Sequence, residues 1–163
     1  MTTIRLTRAV YNQATSQLHE QHPFALERVG FMFARFAPAG SADLILVTHF
    51  QPVPDADYVA DDRVGARINS EAIRRTMQRA LTTGDVVLHV HVHQHRGRPE
   101  FSGTDNREMA RLVPSFARVA PSVPHGALVF SQDEAAAIIR SNAGTFERAS
   151  VAVIGFPLTI WSI

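Results

Sequence analysis

The chain has 163 residues, 45% of them apolar, a formal net charge of +1 and no cysteine. That size and composition fit one domain, spanning 1–163, with a proper core, and a charge this close to neutral carries no basic footprint for nucleic acid. Without cysteine there are no disulfides or thiolate sites, so a transition metal would have to be held by histidine and carboxylate. No apolar run is long enough to span a bilayer and no basic-then-apolar leader opens the chain, so the expectation is a cytoplasmic protein with no membrane partner. All 16 basic residues are arginine. Codon bias in an Arg- and Ala-rich genome accounts for this. Avoidance of lysine acceptors, in a cell that conjugates proteins to lysine, is the sharper alternative.

In chain order, Ile4 to Leu6 reads as a short strand and Thr7 as the N-cap of a helix over Ala9–Glu20. Val10, Ala14 and Leu18 form its apolar stripe and Pro23 its stop. Val29 to Phe36 reads as a strand, in which Gly30 allows another backbone to approach closely. Glu27 stands at its entrance. Alone it is a solvated strand end; beside a metal site it is the general base that metal-assisted hydrolysis needs. Pro38 to Ser41 is a turn. Ala42 to Pro52, with the continuous run Leu44–Val47, is a buried strand that closes a hairpin. Asp55, Asp57, Asp61 and Asp62 follow in a polar stretch without the spacing of a calcium loop, read as a flexible flap or a substrate-facing loop. Ser70 to Thr83 is a helix with Ile73, Met77 and Leu81 as its core stripe and Gly84 as its stop.

The stretch from Leu88 to Asp105 concentrates the chemistry. His89, His91, His93 and His95 fall on every second residue of a β-branched run, so an extended strand lines them along one face. An Arg-, Gly- and Pro-rich loop follows, and Ser102 and Asp105 stand three apart at a helix start. Those two alone read as a capping box. The histidine row alone could be a solvated edge or a non-specific metal patch. Two imidazoles from a rigid strand plus a carboxylate from the next helix instead make a three-ligand site with an open fourth position, the layout of catalytic zinc.

Downstream, Pro114 is expected to end or kink the helix that starts near Gly103. Ala127 to Ser131 is a strand, and Asp133 to Ile139 is either helix or strand. Asn142 to Gly144 is a turn, and Ser150–Ile154 and Leu158–Ile163 are closing strands. His125 reads as structural. The alternation of helices and strands gives an α+β class.

Taken together, these residues resemble the JAB/MPN zinc metalloproteases, the JAMM family. The shared pattern is Glu27 with Gly30, then His91-Val-His93, then Ser102-Gly-Thr-Asp105, with Phe101 before the serine. The resemblance implies a single MPN/JAB domain, a mixed curved β-sheet flanked by helices in a cytidine-deaminase-like layering. It also implies one catalytic Zn2+ on His91, His93 and Asp105, with Glu27 as general base and Ser102 as oxyanion donor. Two departures stand out. Gln94 replaces the proline that usually follows the second histidine, and the interval from His91 to Asp105 is one residue longer than usual. The pair His93 and His95 is the alternative register; His91 and His93 are preferred because a loop absorbs an insertion more easily than a deletion. His89 then lies deeper in the strand and His95 at the rim.

The implied activity is hydrolysis of the peptide or isopeptide bond after the C-terminal Gly of a ubiquitin-like protein, in a bacterial conjugation or antiphage system. The loop around Asp55–Asp62 and Arg96–Arg98 are candidates to frame that tail. The competing expectations are a non-catalytic MPN scaffold that binds partner proteins, a JAB hydrolase acting on a sulfur-carrier protein or small molecule, and a histidine-strand metal store that would not need Glu27.

Overall fold

The computed structural model describes residues 2–21, 25–40, 42–61, 64–141 and 143–163. Pro23 as a helix stop, Ser41 and Asn142 as turn residues, and Asp62 of the acidic stretch lie outside the described residues. The elements are β1 (Thr2–Thr7), α1 (Arg8–Leu18), β2 (Val29–Ala37), β3 (Asp43–Pro52), α2 (Ser70–Thr83), β4 (Val86–Val92), α3 (Gly103–Val119), β5 (His125–Phe130), β6 (Ala135–Arg140), β7 (Phe146–Ile154) and β8 (Thr159–Trp161). Of the stretch from Asp133 to Ile139, expected as either helix or strand, the residues from Ala135 onward form strand β6.

The helix-flanked open sheet implied by the family resemblance does not form. Strand β1 pairs in parallel with β3 on one side and with β7 on the other. The ring β1-β3-β2-β4-β5-β6-β7 therefore closes on itself as a mixed seven-stranded barrel, with β8 added to the end of β7. Closure satisfies both edges of β1 and removes the exposed edges that an open sheet must protect. Ile4 and Leu6 of β1 are fully buried, as an inward-facing pair in a two-residue repeat must be. The sequence marks β1 as a strand, but its partners lie far along the chain and no local pattern names them.

Alternation then sorts the side chains. On β4, Val86, Leu88, Val90 and Val92 join the inner core, while Val87, His89 and His91 face outward. The stripe of α1 packs Ala14 and Leu18 onto that inner core, and its Tyr11 ring meets Phe130 edge-on at 5.4 Å. Helices α2 and α3 cover the outer face of β2 and β4, around Phe31, Phe33, Val87 and Phe116. Gly30 is a close-approach position, since a Cβ there would lie 2.5 Å from the Phe50 ring and 2.9 Å from the Gln51 carbonyl oxygen. Among the described residues, no helix is long and apolar enough to cross a membrane.

Three local expectations need correcting. The buried face of α2 is Ala72, Thr76 and Ala80, whose small side chains let the helix sit close. Ile73 and Met77 are only partly buried, and Leu81 is 58% exposed. The run Leu44–Val47 is not buried throughout: Ile45 and Val47 point inward, while Leu46 is exposed. Helix α3 continues through Pro114 to Val119. Burial of Leu112, Val113 and Phe116 on both sides of the proline outweighs a lost backbone bond, a defect of about 3 kcal/mol.

His125 is structural, as expected, and its partners are now named. Its Nδ1 accepts from the Val87 N–H at 3.0 Å, and its Nε2, which must then carry the proton, donates to the Ala120 carbonyl at 2.9 Å. The buried imidazole thus ties the start of β4 to the end of α3. Burial holds its pKa below the ordinary value; the Ala120 bond works against that shift and Arg140 adds to it.

Candidate metal centre

The centre sits where β4 ends and α3 begins. Parallel strands need a long crossover, and α3 is the crossover between β4 and its parallel neighbour β5. That connection brings the first turn of α3 back over the outward face of β4. The His91 ring is buried on that face; His93 follows just past the strand end, held by its N–H to the Phe130 carbonyl at 2.7 Å.

Ser102 is the N-cap of α3 and forms a reciprocal capping box with Asp105. Its backbone N–H donates to Asp105 Oδ2 at 2.7 Å, and its Oγ accepts from the Asp105 N–H at 3.2 Å. The cap holds Oδ2 and leaves Oδ1 turned toward His91.

Two imidazole nitrogens and both oxygens of one carboxylate converge. His91 Nε2 and His93 Nε2 are 3.1 Å apart, His91 Nε2 is 3.2 Å from Asp105 Oδ1, and His93 Nε2 is 3.6 Å from Asp105 Oδ2. For a four-coordinate ion with bonds of the usual zinc length, neighbouring donors stand roughly 3.3 Å apart. The separations between the three side chains are therefore already close to those between neighbouring donors on one ion. Among the described residues, His91, His93 and Asp105 form a group that could hold a metal ion. His95 is not part of it: its exposed ring lies 5.7 Å from His93 and its Nδ1 bonds to the Arg96 carbonyl. The preferred register thus has the converging donors, and the alternative pair does not.

No protein-family model matches the chain, and no curated protein matches it. The site is therefore read from its own geometry and electrostatics.

Burial lowers the pKa of His93, reinforced by His91 and His95 against the pull of Asp105, so the ring is held neutral. A neutral imidazole is the form that binds metal. For Asp105, burial pushes upward, but the hydrogen bond and charge of His91 and the two bonds from Ser102 outweigh it and hold the carboxyl well below the usual range. His89, the next ring inward at 5.9 Å from His91, is pushed down to about 3 by burial and by His91, against Asp105. One feature departs from common metal sites: His91 Nδ1 is buried with no hydrogen-bond partner among the described residues, where a ligating histidine usually donates to an acceptor.

Glu27 is brought to the same place by the approach to β2. Its neighbour Val29 pairs with His91 across β2 and β4. The Leu26 and Glu27 N–H groups both donate to the Gly65 carbonyl, at 2.8 and 3.0 Å. Burial raises the Glu27 pKa, His91 lowers it and Asp105 raises it, with a net shift upward.

These residues line one cleft of about 490 Å³. One wall is the segment from Val64 to Ile68, with Asp61; the other is α3, through Thr104, Glu108, Arg111 and Leu112. The α3 wall went unread in the sequence, though its signal was present: Glu108 and Leu112 follow Asp105 and Thr104 at helical spacing. Most of the expected framing residues serve the scaffold instead. Asp55 pairs with Arg28 at 2.6 Å, and buried Asp57 pairs with Arg75 and accepts from Asn69. Arg96 and Arg98 are exposed and do not line the cleft. Of the acidic stretch, Asp61 faces it.

Proposed function

We propose that the protein is a zinc-dependent peptidase or isopeptidase that cleaves after the C-terminal glycine of a ubiquitin-like protein. The supporting observation is convergence: a carboxylate ahead of β2 lines the same cleft as the three potential ligands from β4 and α3. A metal store or a scaffold has no use for that fourth group. The reading rests on the site and its resemblance to the JAMM pattern, independently of the barrel around it.

Zinc is the metal best suited to a set of two imidazoles and one carboxylate with an open position. Bound there, it supplies Lewis acidity, which makes a water more acidic and polarises a carbonyl. The remaining steps belong to the chain. Glu27 takes a proton from the attacking water at its carboxylate and returns it to the nitrogen of the leaving amine as the C–N bond breaks. Burial shifts its pKa upward, which strengthens it as a proton acceptor. Ser102 Oγ accepts from the Asp105 N–H with a lone pair, which leaves its own proton to donate to the carbonyl oxygen as charge builds there. The cleft between Val64–Ile68 and α3 receives an extended tail, and glycine at its end is the residue that can pass closest to the walls.

The test is incubation of the zinc-loaded protein with a ubiquitin-like protein carrying a reporter on its C-terminal glycine. Release of the reporter by cleavage after that glycine, blocked by a chelator and restored by zinc, is expected. Zinc-loaded protein that leaves the fusion intact overturns the proposal.

A further inference from the structure

The geometry points to Gly65 as the positioning residue for Glu27: the bare Cα of this residue is the seat on which the Glu27 carboxylate rests. A Cβ at Gly65 would lie 2.7 Å from Glu27 Oε2, 2.8 Å from Cδ and 3.2 Å from Oε1. Those separations are shorter than van der Waals contact, so no other residue type leaves the carboxylate where it is. The same residue holds the Glu27 backbone, since its carbonyl accepts from the Leu26 and Glu27 N–H groups. Gly65 thus fixes Glu27 at both ends, by a backbone bond and by an absent side chain.

The usual reason for a loop glycine does not apply. The glycines with positive φ are Gly40, Gly84, Gly97, Gly144 and Gly155, and Gly65 is not among them. An alanine could adopt its backbone, so what the position requires is space. The group in the way is the tip of a flexible side chain, which moves more readily than a backbone. A methyl at 65 is therefore expected to leave the fold standing and to push the carboxylate aside. The assignment rests on the proposed role of Glu27 for its effect on hydrolysis, but the displacement itself does not.

The experiment compares the wild type with Gly65→Ala, Glu27→Gln and the double variant. In the crystal structure of Gly65→Ala the Glu27 carboxylate is expected to have left its seat, with zinc stoichiometry and melting temperature close to wild type. Hydrolysis of a short peptide ending in Gly-Gly-aminomethylcoumarin is expected to fall about a hundredfold, the scale of an ångström misplacement at a reacting centre. In the Glu27→Gln background the same substitution should cost nothing more. A carboxylate that stays in place, or costs that simply multiply in the double variant, overturns the assignment. Should Gly65→Ala fail to fold, Gly65→Ala/Glu27→Ala must fold, since the obstructing group is gone; an unfolded double variant also overturns it. A displaced carboxylate in a protein whose wild type cleaves no glycine-terminated substrate would leave the positioning intact and sink the proposed function alone.

Discussion

Val29 of β2 lies directly across from His91 of β4. Because the two strands are antiparallel, the residues preceding Val29 advance toward His93, and Glu27 is delivered to the cleft that His91, His93 and Asp105 line. The same register puts Phe31 opposite His89, with their rings 5.7 Å apart. A slip of one residue would turn His89 and His91 toward the inner core.

The ligand set makes a sharp distinction among the histidines on and just beyond β4. His91→Ala or Asp105→Ala is expected to abolish stoichiometric zinc binding, whereas His95→Ala is expected to bind as the wild type does. Isothermal titration with zinc reads this directly. Retained affinity in His91→Ala, with loss in His95→Ala, would transfer the site to the alternative register.

Glu27→Gln keeps shape and removes the base. Zinc affinity should be nearly unchanged while hydrolysis falls by roughly a hundred- to ten-thousandfold, the range for a general base. Steady-state kinetics beside a metal titration separates the two effects.

Ser102 carries two loads, and they can be read apart. Ser102→Ala leaves the Asp105 N–H without its cap, which should cost about 1 kcal/mol in chemical denaturation. The Ser102 backbone N–H still holds Asp105 Oδ2, so zinc should remain bound. Loss of the hydroxyl as a donor to the carbonyl oxygen should lower kcat by about a hundredfold or more. Ser102→Thr should restore stability and much of the rate.

The buried His125 gives a pH signature. Its folded pKa lies below the ordinary 6.5, so the unfolded chain binds the proton first. The stability it contributes is whole above that ordinary value and is lost as the pH falls from there through the lowered folded one. With a chelator present, unfolding free energy should decline from pH 7 toward 5. His125→Gln, which can still accept from Val87 and donate to Ala120, should decline less steeply. Equal slopes would show that His125 does not titrate on unfolding.

How much of this was legible in the sequence depends on the range of the signal. His91, His93 and Asp105 could be grouped because a two-residue repeat and a helix start are local features. Thr7 and Ser102 do cap helices in the structure, with bonds to Val10 and Asp105, whereas the cap of α2 is Asn69, which went unread. Barrel closure was not legible, because β1 finds its partners in β3 and near the other end of the chain in β7. The expected core stripe of α2 holds in part: Ile73 and Met77 pack half-buried against the outer core, while Leu81 is exposed and the small Ala72, Thr76 and Ala80 take the buried face. Gly65 looked like one more loop residue, since nothing near it in sequence reveals that its Cα faces Glu27.

The most direct test is anomalous scattering at the zinc edge from crystals soaked in zinc. A single strong peak is expected, at about 2.0–2.2 Å from His91 Nε2, His93 Nε2 and an Asp105 carboxylate oxygen, with the Glu27 side chain facing its open position. No peak at that triangle, or a peak held by His93 and His95 with Glu27 turned away, would contradict it.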